Sequence, residues 1–402
     1  TSEDRTNYYA TVPTGALDMA LWMESDRMSH LLGAVTQEAL DEQRGVVQNE
    51  KRQGENRPYA GVYDRIRAGI YPAGHPYRHS VIGSMEDLDA ASLDDVHEWF
   101  RTWYGPANAI VTVAGDIDSA EALELVKLHF GDIPSGPPVS HLDDWVPERT
   151  INTFETFQDR VANPLILRGW SVPGRDHEES SLLSFAARVL GGDSSSRLYR
   201  RLVKEEKVAV AASMNLLPLD LASLVTLQVV LVPGADPDIA RRIIKEELQR
   251  FAEEGPTATE VELIKTQIAG AVIKGLDSLS GKANLLAESE YYGGSPDAYK
   301  TSFGWIDGAT QETIRRAAGE WLGDGFHEVY VTMFGQFTAA ETGADRSALP
   351  SVDTYPPARG PKVQDFELDN GIPVRFVQRS GVPAVSMIGQ FRVGQVTSAE
   401  EN

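Results

Sequence analysis

Residues 91–117 read ASLDDVHEWFRTWYGPANAIVTVAGDI, and residues 309–337 read ATQETIRRAAGEWLGDGFHEVYVTMFGQF. Both stretches pass from a helix pattern through a tryptophan and a glycine into an apolar run that closes on glycine. In the first, Ser92 and Asp95 have the spacing of a capping box. PANAIVTVAGD then reads as a buried strand, an apolar run flanked by turn residues. Trp103 and Trp321 lie 218 residues apart, and Gly115 and Gly335 lie 220 apart. A helix–strand unit that recurs at domain-sized spacing points to duplicated domains rather than a short-repeat solenoid.

Outward from these units, TNYYATVP (6–13) reads as a strand, while GALDMALWMESDRM (15–28) and the stretch from Gln37 read as helices. SGPPVSHLDDWVPERT (135–150) and ALPSVDTYPPARGPK (348–362) are Pro-rich and read as linkers. After the second linker come two alternating segments turned by Asp369-Asn370-Gly371, the pattern of a hairpin. The reading divides the chain into a first domain over 1–138, a linker over 139–156 and a second domain over 157–345. A further linker covers 346–362, and a third domain begins at 363–402. The chain opens on a strand-like pattern without Met and closes soon after the third domain begins, so both ends read as cuts within a longer protein.

Composition narrows the function classes. The 402 residues are 42% hydrophobic and 24% charged, which is globular. A formal charge of −22 argues against nucleic-acid backbones and anionic membranes as partners. The absence of cysteine removes disulfides, thiolate nucleophiles and cysteine-based zinc sites. The longest apolar run, Leu224–Val232, is interrupted by Thr226 and Gln228 and is too short to span a bilayer.

TQEALDEQRGVVQNEKRQG (36–54) poses the sharpest chemical question. Thr36 reads as an N-cap and Gly54 as a stop. On a 3.6-residue period Leu40, Gln43, Val47, Glu50 and Gly54 fall on one line, which sets a carboxylate on an apolar stripe. Such a group needs a positive partner, a base or a metal ion. The other reading rotates the helix slightly and leaves Glu50 in solvent beside Lys51 and Arg52.

TSEDRTNYY, VVQNE, HPYRHSVIG, FRTWYGPANAIVTVAGD and GGDSSSRLYRRL stand in that order along the chain. This ordered set resembles the insulinase/pitrilysin family (M16) of zinc metallopeptidases, over essentially all 402 residues. The resemblance implies an α+β fold of tandem homologous domains, each a mostly antiparallel sheet packed with helices. It also implies a zinc ion (Zn2+) held by an inverted His-x-x-Glu-His motif and a later Glu, the place where Glu50 stands. Zinc would lower the pKa of its bound water, and the motif's Glu would act as general base. The carboxylate found one face-repeat earlier in relatives is Gln43 here, with Glu42 adjacent.

The motif itself is absent. The eight histidines are 30, 75, 79, 97, 129, 141, 177 and 327, and only His75 and His79 are close in sequence. Pro76 between them opposes a helix that would aim both rings at one metal, so a loop held by local hydrogen bonds is expected instead. By resemblance the motif and its general-base Glu lie upstream of Thr1, and this segment alone would be inactive. Relatives carry an Arg and a Tyr seven residues apart that contact substrate, and Val203 and Val210 stand there. Either the pair has been lost or it lies beyond Asn402; the domain that begins near Val363 favours the second, which by resemblance implies a double-length bacterial enzyme.

The expected substrate is a peptide or unfolded protein bound as an extended strand. The partner would be a second copy or another M16 subunit, and the location the periplasm. The alternative is a catalytically inactive paralogue serving as a peptide-binding or scaffold subunit. GGDSSS (191–196) lacks the Lys-Ser/Thr of a phosphate loop, so Ser195 or Ser196 reads as a helix N-cap. Trp99, Phe100 and Trp103 read as core at helical spacing, and Arg197, Arg200 and Arg201 as a solvated face pairing with Glu205 or Glu206.

Overall fold

The computed structural model describes residues 1–335, 360, 362–378 and 387–390. The chain forms two compact units, Thr1–Gln336 and Phe337–Asn402.

The first unit is built on one five-stranded sheet. Its strands are β1 (Thr153–Asp159), β2 (Leu165–Val172), β3 (Ala209–Leu217), β4 (Ser223–Leu231) and β5 (His327–Met333). Their order is β1-β5-β2-β4-β3. Only the β1–β5 pair is parallel; β2–β5, β2–β4 and β3–β4 are antiparallel. Fold class is therefore α+β with a mixed, mostly antiparallel sheet.

Strand β2, LILRGWSV, is buried at all eight positions. Period-two alternation sends its side chains into two separate cores. Ile166 and Trp170 pack on one face with Phe185, Leu190, Ile243, Phe251 and Ile314, from the helices Glu178–Gly191, Pro237–Glu254 and Gln311–Trp321. Leu165 and Leu167 pack on the other face with Val62, Ile66, Ile70, Tyr71 and Tyr77, from the helix Val62–Ile70 and the loop after it. The β2 surface thus needs a helix on each side to leave water.

Two glycines let the Val62–Ile70 helix come close. A Cβ on Gly169 would meet Ile70 at 2.5 Å and Ile66 at 2.7 Å, and one on Gly69 would fall 2.2 Å from the His327 ring. Both contacts are shorter than side-chain carbons tolerate, so a methyl at either position forces the helix or the side chains it meets to shift.

On the opposite face a charge is buried in the sheet. Glu328 is 0% exposed, and its carboxylate accepts from Arg168 Nε and Arg241 Nε, each at 2.6 Å. Arg168 and Glu328 face each other in the β2–β5 register. Such a pair is costly to break on one side only, because the remaining charge stays desolvated.

The second copy of the repeated unit folds as read: the Gln311–Trp321 helix runs on into β5. In the first copy the helix Leu93–Trp103 forms with its Ser92–Asp95 capping box. Residues 109–114, however, take no ladder partner among the described residues, and neither does TNYYATVP. A strand is defined by its pairing, so the apolar run alone was not sufficient. For the same reason the expected core aromatics are not enclosed: Trp99 is 62% exposed and Trp103 is 38% exposed.

Residues 139–152 carry no regular element, and β1 begins at Thr153, inside the stretch read as linker. The end of the second domain at 345 and nearly all of 346–362 lie outside the described residues. In the second unit β6 (Val363–Glu367) pairs antiparallel with β7 (Pro373–Val377), the hairpin expected around Asp369-Asn370-Gly371.

Replacing Gly169 with alanine is expected to lower the stability of the first unit by about 1–3 kcal/mol in urea unfolding. Gly270→Ala, on a helix with no atom within 4 Å of the new carbon, is expected to gain roughly 0.5–1 kcal/mol. Equal effects at the two sites would contradict close helix–sheet packing at Gly169.

Candidate metal centre

The helix Gln37–Glu55 starts where the sequence places it, with Thr36 Oγ1 accepting from Ala39 N–H at 3.2 Å. Its orientation differs from the apolar line. The inward positions are Leu40, Arg44, Val47, Gln48 and Lys51, all partly buried, while Gln43 and Glu50 are exposed. Arg44 sets this rotation. Its guanidinium donates to Leu88 O at 2.9 Å and Ala91 O at 2.6 Å, satisfying carbonyls at the end of the helix Met85–Ala90. Gln48 adds a bond to Asp89 at 2.6 Å. An arginine with fixed acceptors can occupy an inward position that a count of apolar residues assigns elsewhere.

Glu50 therefore stands in solvent, with no hydrogen bond or ion pair to a described residue. Its neighbours are engaged along the helix, Lys51 with Glu55 at 3.1 Å and Arg52 with Asn49 at 2.9 Å. Among the described residues, one group of three possible ligands converges on a point, Asp144, Asp176 and His177. It does not include Glu50. One exposed carboxylate without an imidazole is no zinc site, so Glu50 and the described residues around it do not by themselves fit the metal.

His75 and His79 are not brought together. His75 is buried and hydrogen-bonded within its own loop, and His79 is exposed, in keeping with the loop reading. Ser196 takes the N-cap position of Arg197–Tyr199 but does not cap it; its hydroxyl donates to Asp193 O at 2.7 Å. Asp193 holds the turn instead, accepting from Ser195 N–H and Oγ–H at 2.7 and 2.6 Å. These bonds lower its pKa below the usual carboxylate value.

The three arginines do not form a solvated face. Arg197 is buried and grips Glu260 through Nη2 and Nε at 2.6 and 2.9 Å. Arg201 reaches Glu246 and the buried Glu247 at 2.7 and 2.9 Å. Only Arg200 lies near Glu205, at 3.8 Å. The acceptors of Arg197 and Arg201 stand on two later helices, Glu246 and Glu247 on Pro237–Glu254 and Glu260 in the first turn of Ala258–Leu276. Val203 is partly buried and Val210 half exposed on the edge strand β3.

Residues 90–268 match the family model described as the peptidase M16 inactive domain. An uncharacterized zinc protease of Mycobacterium leprae is 27% identical over 329 residues, covering 80% of this chain and 72% of that protein. The crystal structure of a protease from Helicobacter pylori superposes with a TM-score of 0.72 at 23% identity, covering 80% of this chain and 78% of that one. The periplasmic protease PqqL of Escherichia coli superposes at 0.61 and 18% identity, over 93% of this chain but 46% of its own. The chain is thus similar to M16 peptidases, by the family model over residues 90–268 and by fold over most of its length. Relatives named as zinc proteases place zinc in the family, and no helix among the described residues is long and apolar enough to cross a membrane.

In calorimetric titration, residues 1–402 are expected to bind zinc no more tightly than their Glu50→Ala variant. A stoichiometric site that depends on Glu50 in this segment would contradict the placement of the other ligands outside it.

Proposed function

We propose that the chain is a portion of a zinc-dependent metalloendopeptidase acting on peptides or unfolded proteins, with Glu50 as one metal ligand. The observation that carries this reading is the ordered motif set, with VVQNE ending on Glu50, in a chain similar to M16 peptidases. His-x-x-Glu-His does not occur in residues 1–402. The histidine ligands and the general base would then come from outside the chain, upstream of Thr1, and this segment alone would be inactive. An exposed carboxylate on a helix pinned by Arg44 suits a ligand completed by another segment. Its helix is fixed, and its oxygens are not committed to a cation among the described residues.

The domain limits are proposed as read, with the first domain at 1–138, the second ending at 345 and a third from 363, except that the second starts with β1 at Thr153 rather than at 157. PqqL, of which this chain covers under half, supports a double-length protein, and its description as periplasmic supports export. Partners would be the substrate and either a second copy or another M16 subunit.

A second reading is a catalytically inactive paralogue that binds peptide or serves as a scaffold. It is favoured by Val203 and Val210, where relatives carry substrate-contacting Arg and Tyr.

The complete protein is expected to cleave unfolded casein or a peptide mixture, to lose activity to a chelator and to regain it with zinc. Glu50→Gln is expected to cut kcat/KM on the order of 100-fold or more, at least the cost of disturbing a metal's supporting shell. Chelator-insensitive cleavage, or a Glu50→Gln enzyme of normal activity, would sink the ligand assignment. No cleavage by a correctly folded complete protein would favour the paralogue.

A further inference from the structure

The loop that follows the Val62–Ile70 helix closes a ring of hydrogen bonds around His75. His75 is 0% exposed, with its ring stacked on Tyr71 at 4.4 Å between centroids and lying 4.6 Å from that of Trp145. Its Nδ1 accepts from Tyr77 N–H at 3.0 Å. Its Nε2 lies 2.9 Å from Trp145 O, and a carbonyl only accepts, so Nε2 carries the ring's proton. Trp145 N–H donates to Leu221 O at 3.1 Å, and Leu221 N–H donates to the Tyr77 hydroxyl oxygen at 3.0 Å. Three segments distant in sequence are thus joined: the helix-covering loop at 71–79, the stretch at 139–152 and the β3–β4 turn.

The neutral imidazole is the one form that satisfies this ring. An imidazolium has two donors and no acceptor, so protonation would set an N–H of His75 against the N–H of Tyr77. The charged groups nearby are already engaged. Asp4 accepts from the Tyr77 hydroxyl and from Asp220 N–H. Arg67 pairs with Glu3, Arg78 donates to Ala68 O and Tyr71 O, and Asp144 accepts from His177. None of these bonds reaches a His75 ring nitrogen.

We propose that this ring is an acid-sensitive latch between the Val62–Ile70 cover and the sheet, with His75 as its titrating member. It stands whether or not the zinc reading holds.

The sign follows from proton binding. Burial lowers the His75 pKa, so the closed loop binds a proton less readily than the open loop. Closure is therefore favoured above the ordinary histidine pKa of about 6.5 and weakens as pH falls below it. Asp220 acts in the opposite direction. Burial and the neighbouring Asp4 raise its pKa, so acid favours its closed form, and that titration belongs to the carboxylate range.

Hydrogen–deuterium exchange of the full chain at pH 7.5 and 5.5, corrected for intrinsic rates, tests the latch. The opening equilibrium at 71–79 and 141–149 is expected to rise about tenfold at the lower pH, while β2 stays unchanged. His75→Gln, which cannot gain a charge, is expected to remove that difference. Where the variant fails to fold, the imidazole resonances of wild-type His75 serve instead and are expected to stay in the neutral form down to pH 5.5. Protection in the wild type that ignores pH, the same pH response in His75→Gln, or a His75 ring titrating near 6.5 in the closed chain would each overturn the proposal.

Discussion

The first unit depends on covering a sheet that is apolar on both faces. Strand β2 has no side exposed to water, so burying one face under three helices leaves Leu165 and Leu167 uncovered on the other. At about 25 cal/mol per Å² of apolar surface, a bare second face would cost several kcal/mol, a large share of a domain's net stability. The Val62–Ile70 helix meets that need. Its close seat depends on Gly69 and Gly169, and the loop that follows is fixed by the ring through His75, Tyr77, Trp145 and Leu221. The same contacts join residues 62–79 to the five-stranded sheet within one compact unit.

The repeated helix–strand unit was legible in the sequence, the cover helix and the doubly buried strand were not, and the limits have physical reasons. The second repeat could be read because its helix and strand both find partners inside the chain. In the first repeat the capping box at Ser92 and Asp95 fixed the helix locally, and the helix is present. The apolar run at 109–114 looked equally persuasive, but a ladder is a property of two segments and a single segment cannot reveal it. Trp99 and Trp103 follow from that. Their helical spacing indicates a shared face and says nothing of what covers it.

The site was legible in part, and electrostatics account for the remainder. Counting apolar residues placed Glu50 inward, whereas Arg44 turns the helix by binding carbonyls of a neighbouring helix that no periodicity count includes. Arg197 and Arg201 read as solvent-facing because their acceptors, Glu260, Glu246 and Glu247, lie some 45–63 residues further along. His75 stood out only as half of a poor metal pair. Its place in a ring of hydrogen bonds depends on Trp145 and Leu221, which carry no motif.

The likeness to M16 peptidases and the place of Glu50 at the end of VVQNE support one chemical proposal, that this carboxylate completes a zinc site supplied mainly from elsewhere in the protein. Elemental analysis of the purified complete protein, beside its Glu50→Gln variant, tests it most directly. The account predicts one zinc per chain in the first and a small fraction of that in the second, with both proteins folded. Equal zinc in the two would contradict it.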